Sequence, residues 1–357
     1  MRVSKGRQRQ GRWPTLRDAS LRDAPQGEVE LFKRDTLQVL TRDRLRLIGR
    51  RLVQVVPVIV LATFIVFGLQ QLVPGDIAVT LAGDNATDAR IAEIRHLYGL
   101  DRPFLVQYGA WLWGAVHGDL GRSLLSGEVV LDSILRRFPV SLLIVGCALT
   151  LSLVIGIPLG ILAATRPGSR VDALVTGIAS LGVALPNFWL AMLLVATFAL
   201  NWTIFPATGA VPLSAGLGKA LLSAALPSIA LAAGGVAEVA RQLRSSLVEV
   251  LSSQYVRTLH AKGLSPTAIL WQHGLKNVSV NLLTVIGLIF NRLLGATVVI
   301  EAVFAIPGIG SMVVHAAIHK DFPVIQGVVL SLVMIVIALN LVIDVLYTVL
   351  DPRVSQK

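Results

Sequence analysis

Phe138–Thr165 reads FPVSLLIVGCALTLSLVIGIPLGILAAT, 28 residues without a single Asp, Glu, Lys or Arg. A helix needs ~20 mostly apolar residues to cross the hydrocarbon of a bilayer, so this run reads as a membrane span. Charge-free runs flank it on both sides. Leu52–Gly75 precedes it, and Ala173–Gly218 follows as 46 residues, too long for one helix. The latter part, Asn201–Gly218, is rich in Gly and Pro and reads as an outer loop, which leaves the third span before it. Ala220–Ala237, extending towards Arg241, is the fourth. The fifth runs from about Asn281 to Glu301, interrupted by Arg292, and the sixth begins with Phe322–Ile343 and ends near Asp351. The expected fold is an all-α polytopic membrane protein with six transmembrane helices.

Composition agrees. Of the 357 residues, 54% are hydrophobic and 15% charged, and mean hydropathy is +0.71. Water-soluble domains carry roughly 25% charged residues, so there is too little polar material here to clothe a surface in water. The lone cysteine, Cys147, excludes an internal disulfide framework and a thiolate zinc cluster. The net charge of +11 is concentrated at one end: residues 1–51 hold 14 Lys/Arg against 6 Asp/Glu and so contribute +8. Such a tail before an apolar span is a cytoplasmic flank. Nucleic acid is excluded as a partner, because no aromatic-rich sheet or recognition helix accompanies the charge.

Orientation follows from the basic residues. With the amino terminus inside, the inner segments hold 23 Lys/Arg and the outer ones 8, which predicts both termini in the cytoplasm. The first apolar run begins only after residue 51 and lacks a small-x-small cleavage site, so it is expected to persist as span one. Residues 1–46 are polar and Arg-rich and read as disordered. Leu37, Leu40, Leu45 and Ile48 then suggest an amphipathic helix leading into span one.

Two segments between spans carry patterns of their own. In the outer segment 74–137, Ile91, Ile94 and Tyr98 recur at helical spacing, with Asn85 or Thr87 as cap and Gly99 as stop. After Pro103, the stripe Phe104, Tyr108, Trp111, Leu112 and Val116 runs to Gly118. Two readings stand for this helix pair: lying on the outer membrane surface, or packing against the spans. In the cytoplasmic segment 245–280, a helix over Val248–Lys262 is closed by Gly263, and Ser265-Pro266 opens the next. Two short helices meeting at a glycine make a knob, suited either to pushing against a partner or to trimming the bundle.

Span five bears a polar stripe. Asn277, Asn281, Thr284, Leu288, Asn291, Arg292 and Gly295 fall within about a 100° arc. A mid-span Arg costs ~2.5–3.5 kcal/mol on insertion scales, so it faces protein or water. Either the stripe lines a solute path where Arg292 meets an anionic group, or Arg292 pairs with an acid on a neighbouring helix. Glu301 lies about 180° away on the helix and is a poor partner. The translocation-pathway candidates are Asn281, Thr284, Asn291 and Arg292.

Catalytic motifs are missing. No G-x-x-x-x-G-K-[ST] run exists to cradle nucleotide phosphates, and Ala316 stands between His315 and His319 where a zinc protease needs Glu. There is no G-x-S-x-G elbow, and His96, His117, His260 and His273 are scattered. The reading is of a non-enzyme with no catalytic residue, no metal ligand and no cofactor of its own.

Several short runs together are more telling. They are Leu72-Val73-Pro74-Gly75-Asp76, Tyr98-Gly99-Leu100-Asp101-Arg102-Pro103 and Gly118-Asp119-Leu120-Gly121-Arg122-Ser123, then Ile157-Pro158-Leu159-Gly160, Leu185-Pro186-Asn187-Phe188-Trp189 and Asp351-Pro352-Arg353. In this order and spacing the chain, over about residues 47–354, resembles the first type of membrane subunit of dipeptide/oligopeptide ABC importers, a family that includes nickel and glutathione permeases. The resemblance implies a type I importer permease fold in a bacterial plasma (inner) membrane. It implies as partners a second homologous permease, two ATP-binding subunits holding ATP and Mg, and an extracytoplasmic solute-binding protein. Transport of peptide is favoured within the family, with nickel or glutathione as the alternative. A self-contained secondary transporter is a further alternative, but acidic couplers and paired broken helices are not evident.

The knob is similar to the family's EAA loop, running from Tyr255 to Ser265. The resemblance implies ATPase coupling by Tyr255, Thr258, Ala261, Lys262, Gly263, Leu264 and Ser265. Gln254 stands where the family usually has an acid, Leu259 where it has alanine and Asn281 where it has proline.

Overall fold

The structure, a computed structural model, describes Gly49 and residues 53–72, 76–82 and 87–350. The basic tail and its amphipathic stretch, the Asn85 cap and the Asp351-Pro352-Arg353 run lie outside the described residues. Residues from Val53 onwards belong to one unit, and among those described it is built from helices alone.

Helix α1 spans Val53–Gln71. The segment between the first two long helices contributes α2 (Ile77–Ala82), α3 (Asp88–Leu97) and α4 (Phe104–Val116). Then follow α5 (Val130–Ala164), α6 (Arg170–Ala184), α7 (Asn187–Leu194, prolonged by a π-helical turn to Asn201) and α8 (Leu217–Leu251). The short α9 (Gln254–Ala261) leads to α10 (Pro266–Val303, with a π-helical stretch at Ile269–Gly274), α11 (Ile309–Ile318) and α12 (Phe322–Leu350). Five helices, α1, α5, α8, α10 and α12, are long and apolar enough to cross a membrane, and the bent α6–α7 pair makes a sixth where its two halves are counted as one span.

The second, fourth and fifth expected spans therefore appear as helices longer than expected, and the third appears broken. Helices α6 and α7 meet at 96°. The cause is Leu185-Pro186: a proline disfavours helical backbone in the residue before it, and Leu185 is extended at φ −78°, ψ 126°. Pro158 and Pro227, by contrast, sit inside α5 and α8 without ending them. The loop expected over Asn201–Gly218 is present, holding only a single turn at Leu213–Ala215 before α8 begins.

The centre of the bundle is the seam between α5 and α8. Small residues let the two backbones approach, the usual device where lipid leaves little hydrophobic drive between helices. A Cβ on Gly156 would stand 2.7 Å from Val239 Cβ and 2.9 Å from the Val236 carbonyl, and one on Gly160 would stand 2.9 Å from the Ala240 carbonyl. Ser228 Oγ–H donates across the seam to the Ile144 carbonyl at 3.2 Å. Buried Ile144, Leu226, Leu231, Ile289, Ile300 and Phe304 extend this core to α10.

The loops divide between two ends. At one, Arg244 of α8 grips Asp172 of α6 through Nε–H to Oδ1 (2.5 Å) and Nη2–H to Oδ2 (2.6 Å), and Asp172 also accepts the Gly168 N–H at 2.9 Å. At the other, Asp321 accepts Ser123 Oγ–H (2.5 Å) and the Leu124 N–H (3.0 Å), tying the chain before α5 to the start of α12. The same end holds Glu301, fully buried. Its carboxylate accepts Ser141 Oγ–H at 2.5 Å and the Ser311 N–H at 2.8 Å, while Ser141 Oγ accepts the Ile309 N–H at 2.9 Å. Glu301 thus caps α11 and joins it to α5 and α10. Any side chain on Gly308 would collide with that carboxylate.

The outer segment takes the packed arrangement. Thr87 caps α3 and Gly99, at φ +65°, ends it. Tyr108 of α4 is buried against α1, its hydroxyl donating to the Val60 carbonyl (3.1 Å) and meeting Thr63 Oγ (3.0 Å). Phe104 and Tyr108 meet Phe64 and Phe67 edge to face, with centroids 5.3–5.5 Å apart. Val116, expected on the same stripe, is instead exposed. Arg95 hydrogen-bonds Asp76 and holds its carboxyl below the usual range. Because the folded value is the lower one, this contact stabilises the segment above about pH 4 and is lost on acidification below it.

The seam makes a direct prediction. Gly156→Ala should lower the midpoint of thermal unfolding in detergent, because overpacking a close helix contact costs ~1–3 kcal/mol and the atoms it meets cannot swing away. Gly146→Ala, on the same helix with nothing within 4 Å, should leave the midpoint unchanged or raise it.

Candidate functional site

Two features carry the functional expectations: the knob between α8 and α10, and the polar stripe along α10. The knob is built by capping. Helix α8 runs to Leu251 and stops at Ser252. Ser253 turns extended (φ −71°, ψ 156°) and its side chain caps α9 at the Val256 N–H. The expected helix from Val248 is thus corrected: Val248 to Leu251 belong to α8, and the knob helix proper is Gln254–Ala261. Its stop is the expected one. Lys262 is the C-cap and Gly263 follows at φ +81°, a backbone that side chains other than glycine's resist. Ser265 Oγ then accepts the Ala268 N–H at 3.3 Å, with Pro266 in the first turn of α10.

One face of α9 looks inwards. Val256 and Leu259 are buried against Ile269, with Leu251 and Leu264 packed around them. Tyr255, Thr258, Ala261, Lys262, Gly263 and Ser265 are exposed, and Leu264 is half-buried. Leu259, one of the departures from the family pattern, therefore changes the packing beneath the helix and leaves its exposed face alone. Tyr255 is held from the side: its hydroxyl meets His273 Nδ1 at 2.9 Å, joining α9 to the π-helical stretch of α10. His273 gave no signal in the sequence beyond being one of several scattered histidines.

The stripe lies in the groove where α10 meets α8 on one side and α12 on the other. Asn281 Nδ2–H donates to Ser246 Oγ of α8 at 2.5 Å, and Thr284 Oγ1 meets Tyr347 OH of α12 at 2.6 Å. Arg292 Nη1–H donates to Glu238 Oε2 of α8 at 3.2 Å, and Glu238 also takes Arg241 at 3.3 Å. The acidic neighbour of the second reading thus exists and is Glu238. The pair is not sealed, since the Arg292 side chain remains 54% exposed. Asn291 is half-buried, and its Oδ1 has no donor among the described residues. Glu238 and Tyr347 were missed because each is distant in sequence from α10; Glu301, as expected, does not serve Arg292. Among the described residues no three His, Cys, Asp or Glu side chains converge as a metal site would need.

Comparison with known proteins then places the chain. Residues 156–356 match the family described as binding-protein-dependent transport system inner membrane component, and residues 44–145 match the corresponding N-terminal family. The chain belongs to this family of membrane-spanning permease subunits. A peptide transport system permease protein of Brucella abortus (strain 2308) is 41% identical over 309 residues, covering 86% of this chain and 98% of that one. The dipeptide transport system permease protein DppB of Escherichia coli (strain K12) is 34% identical over 340 residues, covering 88% and 99%. Among solved structures, the MetNI methionine ABC transporter in an inward-facing conformation aligns with a TM-score of 0.52 at 20% identity, over 63% of this chain and 99% of that chain. This last likeness concerns the fold. The chain is therefore a multi-pass permease of a binding-protein-dependent importer, a class that in general terms works with a partner permease, an ATPase and a binding protein.

The capping of α9 is open to test. Ser253→Ala should cost the helix about 1 kcal/mol, seen as roughly fivefold faster amide hydrogen exchange in Gln254–Ala261 with the rates in α5 unchanged.

Proposed function

We propose that this chain and a second permease form the path by which di- or oligopeptides enter a bacterial cell across the inner membrane. In this reading ATP and Mg are bound and hydrolysed on two separate ATPase subunits, and a solute-binding protein delivers peptide at the end opposite α9. Both termini lie in the cytoplasm, as the 23-to-8 distribution of basic residues favours. Peptide is preferred to nickel or glutathione because the relatives above are named for peptide and dipeptide transport.

The observation that carries the reading is the exposed face of α9 on a stiff pedestal. Helices α8 and α10 leave the bundle as continuous rods of 35 and 38 residues, ~50–57 Å at 1.5 Å per residue. That exceeds the ~30 Å hydrocarbon, so both project beyond it. Their junction is α9, fastened below by Val256, Leu259 and Ile269 and at the side by Tyr255–His273. A displacement of α9 is passed to both rods together, because a packed core shifts as a body rather than deforming continuously. Along those same rods lie Glu238, Asn281, Thr284, Asn291 and Arg292. Movement of the two rods as a body against α12 changes the polar groove on its α12 side, where Thr284 meets Tyr347, and in this reading the half-exposed Arg292 meets a peptide carboxylate.

Gly263→Val should separate coupling from assembly. A β-branched residue resists φ near +80°, so uptake should fall at least tenfold while the purified complex keeps all its subunits. Arg292→Glu should leave the complex assembled and alter the preference between peptides with free and amidated carboxyl termini. Loss of assembly with either variant, or accumulation against a gradient by this chain alone in vesicles, counts against the reading.

A further inference from the structure

At the end of the bundle opposite α9, a cleft of about 440 Å³ opens between α1, the α3–α4 pair and the start of α12. Among the described residues, its two buried side-chain atoms without a partner are both donors. Gln70 Nε2 and Trp111 Nε1 are both buried, and neither has an acceptor among the described residues. Gln70 has already given its amide oxygen to Gln326 Nε2–H at 2.8 Å, so its unspent group is the donor. Gln107 spends Nε2–H on the Arg102 carbonyl at 2.8 Å. Arg102 also lines the cleft, and the neighbouring Asp101 carboxylate is engaged by His96 at 2.9 Å. The one carboxylate in the lining, Asp76, is held by Arg95. Buried donors without acceptors are uncommon in native proteins and mark a missing partner. An acceptor would satisfy both donors, and Arg102 beside them favours one that carries negative charge.

The surroundings specify which kind. Helices α1 and α12, which frame the cleft, are the least buried of the spans, each with 11% of its apolar window covered. Leu69 of α1, Leu72 just past its end and Leu105 of α4 are exposed beside it. Leu100, Leu124, Phe322 and Pro323 complete an apolar lining that gives a small hydrated anion nothing and accommodates glycerol and acyl carbons. Tyr98 and Trp111 are of the residue types that favour headgroup level. We propose that this cleft binds the phosphodiester headgroup of an anionic phospholipid, with Arg102, Gln70 and Trp111 as its donors and the acyl chains lying along α1.

The test is native mass spectrometry of the full chain in its transporter complex, delipidated in detergent and titrated with phosphatidylglycerol. One tightly held lipid is expected, with occupancy at least fivefold lower in Arg102→Gln and in Trp111→Phe. Arg102 is exposed and Trp111→Phe keeps a ring beside Phe67, so thermal unfolding of both variants should match the parent. Equal lipid occupancy in the parent and both variants overturns the proposal. A separate arm offers glycerol 1-phosphate and diglycine at millimolar concentration. If either binds the delipidated parent in place of lipid and is lost in Arg102→Gln, the cleft takes a soluble anion and the lipid assignment falls.

Discussion

The close approach of α5 to α8 is the contact on which the rest of the molecule depends. Gly156 and Gly160 bring α5 against the backbone of α8, and Gly182 brings α6 within 3.0 Å of the Ala233 carbonyl, measured from where its Cβ would stand. In lipid there is little hydrophobic reward for helix association, so shape and dispersion carry it. Helix α8 becomes the axis. It supplies Glu238 and Ser246 to the groove, Arg244 to the ion pair with Asp172, and the root of α9 at its end. A fault in the seam would displace all of these together.

The two ends are secured differently. Opposite α9, buried Glu301 collects hydrogen bonds from α5 and α11, and buried Asp321 collects two from the loop before α5, so α5, α10, α11 and the start of α12 are tied together by groups withdrawn from water. Removing one partner from such a network leaves a buried polar group unsatisfied and is costly. At the α9 end the principal tie is Arg244–Asp172, with the Arg side chain one-third exposed.

Much of this organisation was legible in the chain itself. Length and charge-free runs place six crossings because lipid admits backbone only where its hydrogen bonds are satisfied within the segment. Capping chemistry placed the stops at Gly99 and Gly263 and the start at Ser265, and narrowed the start of α3 to Asn85 or Thr87, since those signals act within a few residues. The start of the knob was less legible: nothing local in Val248–Leu251 distinguishes the end of a long span from the start of a short helix. The break at Leu185-Pro186 was hidden for a related reason. Pro158 and Pro227 occur in equally apolar sequence and leave their helices whole, and whether a proline breaks a span depends on neighbours that resupply the freed backbone group.

The amino-acid sequence alone determined the class of molecule, the places of its long apolar helices, the presence of a knob and the polar face of α10, because all follow from composition, periodicity and short-range capping. Only the tertiary structure decided which partners those residues meet. Arg292 faces Glu238 across a gap of 54 residues, Tyr255 meets His273, Glu301 caps a helix that starts after its own has ended, and α4 packs on α1. Each pairing is set by how helices cross and by the glycines that let them come close, and that geometry is a property of the assembled bundle, invisible in any one segment.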